Sequence, residues 1–193
     1  MDYRTIDELI SKLEETEAKL YEELGKEKQT LQECDFASER IPLLLYIVRG
    51  RWRYGLTAPI IYAMIVPGLI MDLCVTIYQW SCFPIYGIPL VKRKEYIAID
   101  RHKLPYLNIL QKLNCVYCGY FNGLVAYVQE VAARTEQFWC PIRHARRLRG
   151  VHHRYWHFLR YGDGAHLKER WMKLREALKE EERKSERHQK MPE

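Results

Sequence analysis

Acidic residues are scarce through the middle of this chain: residues 81–160 hold 4, against 13 basic ones. Such a stretch suits an anionic surface and is poorly matched to a basic partner. No recognisable nucleic-acid motif accompanies it, and the basic residues alternate with large apolar blocks, so nucleic acid is not the expected partner. The first 35 residues lack an apolar h-region, so no secretory leader is expected. The acidic arm and the arginine-rich C-terminal half are then expected in the cytoplasm. The six cysteines are expected there as free thiols or metal ligands, because disulfides are unusual in that compartment. The chain also lacks a Gly-rich phosphate loop, a His-Glu-x-x-His pair and a Gly-x-Ser-x-Gly elbow, so no reaction is named by motif. Internal repeats and low-complexity linkers are absent too.

Long apolar runs, by contrast, are present. Leu56–Phe83 is 28 residues in which Asp72 is the only formal charge. A bilayer span needs about 20 mainly apolar residues, and as an α-helix this segment would be about 40 Å long. Arg49, Arg51 and Arg53 precede it, and Lys92, Arg93 and Lys94 follow. The competing reading is a buried helix or hairpin of a soluble protein, since mean hydropathy over the whole chain is −0.40. Pro67 removes an amide donor and predicts a kink near Ala63–Met64. Asp72 is costly in such a segment unless protonated, paired or turned to a protein interior. Its alternatives are a functional carboxylate or a structural pair to an arginine or tyrosine hydroxyl.

Around this segment the pattern predicts three regions: a charged helical arm over 1–40, an apolar membrane-associated core over 41–140, and basic amphipathic and charged helices over 141–193. Residues 1–40 hold 12 acidic and 6 basic groups. Ile6, Leu9, Leu13, Leu20, Leu24 and Leu31 recur there at helical spacings, which reads as an interaction arm for a protein partner or a second copy. Ile41–Val48 is too short to span, and Trp52 and Tyr54 among arginines read as an interfacial anchor. Residues 83–89 (FPIYGIP) predict a turn-rich passage. A second apolar helix is expected from near Tyr106 to near Phe138, with a possible break at Asn122–Gly123. The fold class is therefore all-α: a membrane-associated helical hairpin, 56–80 against 110–135, with helical arms.

Cys115 and Cys118 form a Cys-x-x-Cys pair at a helix start, a spacing that serves one ion or a dithiol. In an antiparallel hairpin Cys82 would meet them at one membrane face. Asp100 or His102 from the loop would complete a Cys3His-type centre, with zinc expected before iron. The plainer alternative is cysteine packed as a small hydrophobe. Cys140 is expected too far along the helix to join them. A second constellation is Glu130, Arg134, Glu136, Cys140 and His144. Glu130 and Arg134 are spaced to pair, whereas Glu136 and His144 are separated by Pro141, and no Glu-x-x-His pair supports a di-iron bundle. Tyr117, Tyr120 and Tyr127 share overlapping helical faces and are candidates to hydrogen-bond Asp72.

The stretch DLCVTIYQWSCFPIYGIPLVKRKEYIAIDR, with LPYLNILQKLNCVYCGYFNGLVAYVQEVAARTEQFWCPIRHARR after it, resembles a group of small, uncharacterised bacterial membrane-associated proteins. The likeness covers roughly residues 70–147. It implies a bacterial origin and a membrane location, with no activity to carry over, and the inner membrane is the expected site. The leading functional expectation is a membrane-anchored adaptor or assembly factor. The alternatives are a metal-dependent membrane oxidoreductase acting on a lipid or quinone, and a zinc-stabilised structural membrane protein. Whether the chain is an enzyme is left open by the sequence.

Overall fold

The computed structural model describes the backbone of residues 3–31 and 52–190, and the side chains of residues 8–25 and 55–181. Ile41–Val48, the side chains of Trp52 and Tyr54, and Cys34 lie outside these. The described residues are all-α, with no strand and one isolated bridge between Ile142 and Leu159. Five helices are described: α1 (Tyr3–Leu31), α2 (Trp52–Ala63), α3 (Ile65–Tyr86), α4 (Ile109–Trp139) and α5 (Leu167–Lys190). Helix α1 belongs to one compact unit (Met1–Arg40) and the other helices to a second (Ile41–Glu193). Within α1, Leu9, Leu13, Leu20, Tyr21 and Leu24 are exposed.

Helices α2 and α3 are nearly continuous and are separated by a turn at Met64, three residues before Pro67. Proline cannot donate, so the ladder slips at the position where the sequence predicts the kink. Pro84 is still accommodated in the last turn of α3, and the helix stops at Gly87. That residue has φ +64° and donates to Pro84 O, while Ile88 donates to Phe83 O. This is the paired closure that a left-handed glycine provides at a helix end. Helix α4 begins with a reciprocal cap: Asn108 Oδ1 accepts from Gln111 N, and Gln111 Oε1 accepts from Asn108 N. It then runs unbroken through Asn122–Gly123.

The direction of packing differs from the expected hairpin. Tyr62 bonds Asn114, Asp72 bonds Tyr120, Tyr78 bonds Thr135, and Tyr86 packs tilted against Phe138 and edge-on against Trp139. Partner numbers rise together, so α2–α3 and α4 run parallel. What runs antiparallel is the connection 88–108, which returns along both helices. Pro89 and Leu90 carbonyls accept from Arg134, Val91 pairs with Gln79, Arg93 reaches Asp72, and Tyr96 and Ile97 lie against Gly123. A Cβ on Gly123 would come within 2.6 Å of Tyr96 O, and one on Gly119 within 3.1 Å of Ala98 O. Two glycines one turn apart therefore make the groove that admits an extended backbone.

The core joins these layers: Phe83, Ile88, Val91, Tyr120, Leu124, Tyr127, Val131 and Leu178 are buried together. Helix α5 contributes Leu178 and runs antiparallel to the end of α4. Trp171 Nε1 and Arg175 Nε donate to Phe138 O, and Gln137 donates to Leu174 O. Between α4 and α5 the sequence predicts a basic amphipathic helix. The structure instead has irregular chain with one short 3-10 turn, His153–His157. Pro141 and the left-handed Gly150 (φ +66°) stand in that stretch, and neither favours a continuous helix.

Candidate functional site

Parallel packing separates the predicted metal ligands. Cys115 and Cys118 lie on the part of α4 that faces Tyr62 and Ile61, since Tyr117 Oη donates to Ile61 O. Cys82 lies between Tyr78 and Tyr86, whose partners are Thr135 and Phe138–Trp139. From Cys118 to Thr135 is about 25 Å of helix. Asp100 is exposed, and His102 is half-buried with an unpaired Nδ1. Among the described residues no group of three His, Cys, Asp or Glu side chains can hold a metal ion. The zinc centre at Cys82, Cys115, Cys118, His102 and Asp100 is thus corrected, and with it metal binding and the iron alternative. Cys74, Cys82, Cys115, Cys118 and Cys140 are free thiols.

Asp72 is paired. Its carboxylate accepts from Arg93 Nε (3.1 Å) and Nη2 (2.6 Å) and from Tyr120 Oη (2.9 Å). Both structural partners anticipated in type, an arginine and a tyrosine hydroxyl, are present together. The pair fastens the returning segment to α3 and α4 at one level. Two residues earlier in the return, the Gln79 amide mimics a backbone neighbour, accepting from Val91 N (3.0 Å), donating to Val91 O (3.3 Å) and reaching Tyr127 Oη (2.7 Å).

A larger charged cluster lies within the protein beside the C-terminal half of α4. Glu130 Oε1 accepts from Arg134 Nε (2.8 Å) and from Arg154 Nε (3.0 Å) and Nη2 (2.8 Å). Arg154 also donates to both carboxylate oxygens of Glu181 (2.9 and 2.7 Å) and to Gln137 Oε1 (3.0 Å). Burial pushes the Glu130 carboxyl up, but the Arg154 and Arg134 guanidiniums outweigh it and hold the group below its ordinary range. For Arg154 burial acts downward, and Glu181 and Glu130 reverse it, so the guanidinium is held charged. Every partner is satisfied, which marks the cluster as a pin between α4, α5 and the 153–157 turn. Glu136 contacts His152 Nε2 at 3.0 Å, and His144 stacks on Tyr155, whose hydroxyl accepts from His144 N. Glu136 and His144 are each tied to the 152–155 segment by separate contacts. Arg154, Gln137, Glu181 and Gln79 escape the sequence reading, because their partners are distant in sequence and HHRYWH has the composition of surface.

The outer surface carries the clearest functional signal. Gly55–Tyr86 is the one described stretch long and apolar enough to cross a membrane, and only 6% of its most apolar window is buried. A core helix of a soluble protein would be mostly covered. Val66, Leu69, Ile70, Leu73, Ile77 and Trp80 are all more than half exposed and recur at spacings of one face. Gly68, Asp72, Gln79 and Phe83 occupy the opposite face, turned to α4 and the return. Leu56, Ile60, Ile61 and Met64 add exposed apolar surface along α2 and the turn. A contiguous strip of this length exceeds the isolated apolar side chains that ordinary surfaces show. Comparison with known proteins adds no analogy: no family model, curated protein or solved structure matches the chain.

Proposed function

We propose that the protein is a membrane-anchored adaptor or assembly factor, held at the cytoplasmic face of a bacterial inner membrane and presenting helical arms to a protein partner. The observation that carries this is the uncovered apolar face of α2–α3, which needs either lipid or protein to shield it. Lipid is favoured by the exposed arginines Arg146, Arg147 and Arg149, which suit anionic headgroups. The bacterial placement rests on the resemblance over residues 70–147. The partner-binding role rests on α1, whose exposed Leu9, Leu13, Leu20 and Leu24 leave one side of a charged helix without cover.

Two measurements test the two halves. Membranes from expressing cells, washed with high salt and then with alkaline carbonate, should retain the protein, and quantitative release by salt would overturn the anchor. Affinity capture of the full chain and of a form lacking residues 1–34 should differ in the proteins recovered. An identical set from both would overturn the role of the arm, and recovery of only a second copy would make the arm a self-association device.

A further inference from the structure

From the direction of the connection 88–108 we infer that the apolar helix lies in one leaflet and does not cross the bilayer, an inference that rests on the membrane-anchoring reading above. The stretch 55–86 is long enough to span by length and composition, but a span needs the whole circumference of the protein at that depth to tolerate lipid. Here it does not. Asp72 stands near the middle of the apolar stretch, and the segment that returns past it carries Lys92, Arg93, Lys94 and Glu95, all exposed. The Arg93 side chain remains 46% exposed even while paired with Asp72.

Further along α3 the same conflict recurs. The Lys179 side chain of α5 lies beside Gly87, 3.4 Å from where a Cβ there would stand, and Glu176, Lys179, Glu180 and Glu181 are exposed on that helix. Glu181 is linked through buried Arg154 to Glu130, so the exposed charges of α5 lie alongside the C-terminal end of α4, from Phe138 back to Glu130. A transmembrane orientation would draw Arg93 and its charged neighbours on the return toward the bilayer centre and the α5 charges into one end of the apolar stretch. An in-plane orientation turns the Val66–Trp80 strip to the acyl chains and leaves the return and α5 on the aqueous side, as an interfacial amphipathic helix requires. Both ends of the apolar stretch then face the same compartment.

The test uses the full chain in bacterial cells with a cysteine introduced at each end, Gly55→Cys and Lys179→Cys. An added Cβ at Gly55 meets nothing within 4 Å, and Lys179 is an exposed residue beside the other end of the stretch. Spheroplasts are treated with a membrane-impermeant maleimide before and after lysis, the labelling of the wild-type cysteines is subtracted, and the carbonate-washed pellet is assayed in parallel. The expected result is a membrane-retained protein whose two introduced thiols label together, both rising from background to near completion on lysis. Retention in the pellet with one thiol labelled in intact spheroplasts and the other only after lysis would overturn the one-leaflet arrangement while leaving the anchor standing. Retention with neither thiol labelled after lysis would also overturn it, since both are placed in water. Release into the soluble fraction would instead remove the anchoring reading itself.

Discussion

Glu130 is the residue on which most of the buried charge converges, and its contribution to stability has a definite sign with pH. Its ordinary value is 4.5 and the folded value lies lower. The stabilisation is therefore complete above the ordinary value and is lost as pH falls through the folded one. Thermal unfolding of the solubilised protein, followed from about pH 7 to about pH 3, should show an acid limb that Glu130→Gln flattens. Arg154→Met should cost more at neutral pH, about 3 kcal/mol, because it leaves Glu130 buried with Arg134 alone and Gln137 without its donor. Only part of this cluster was legible in the sequence. The Glu130–Arg134 pair follows from i,i+4 spacing on one helix, whereas Arg154 meets its partners 24 and 27 residues away. Asp72 was conspicuous because a lone charge interrupts an apolar run, but its arginine could be identified only once the return was seen to pass it.

Helix positions were far easier to read than helix directions. The end of α3 is written in Gly87, the kink in Pro67, and the start of α4 lies close to the expected position, because caps and breakers act locally. Whether 88–108 is a loop at one face or a return along the helices depends on contacts no periodicity records. One signal was available: Gly119 and Gly123 lie four residues apart on one face of α4, a spacing that permits close backbone approach. Read as a helix break, Gly123 concealed the return, and the misplaced cysteine cluster followed from the antiparallel hairpin assumed in its place. The consequence is testable. Gly123→Ala would force Cβ against Tyr96 O and Ile97 Cα, both backbone atoms, with an expected loss of about 1–3 kcal/mol. Gly119→Ala, with its nearest atom at 3.1 Å, should be milder, and Gly25→Ala, with nothing within 4 Å, should not disturb the return. Limited trypsin digestion reads this directly, because a loosened return frees the backbone beside the exposed Lys92, Arg93 and Lys94 to enter a protease cleft. Equal protection in Gly123→Ala and wild type would show that the segment does not depend on the groove.

Among the described residues of the Ile41–Glu193 unit, α2–α3 carry an uncovered apolar strip while the return and α5 carry exposed charges, and the asymmetry is structural as well as compositional. Polar residues of the apolar stretch whose contacts bind the layers, Asp72, Thr76, Tyr78 and Gln79, bond inward to α4 or the return. The outward strip between Val66 and Trp80 bears residues that are more than half exposed. Leu73 and Ile77, at 61% and 56% exposed, can thus be changed with little effect on folding, and any effect on membrane retention must come from the surface itself. Carrying Leu73→Asp and Ile77→Asp together would place two carboxylates where acyl chains are expected. Each substitution removes an apolar side chain whose burial is worth about 1.5 kcal/mol or more. The pair should weaken partitioning by about 3 kcal/mol or more, roughly a hundredfold. The expected outcome is release of the double variant from carbonate-washed membranes with helical circular dichroism retained. Retention equal to wild type would mean that the strip is covered by protein, and that lipid is not what the uncovered face of α3 was shaped to meet.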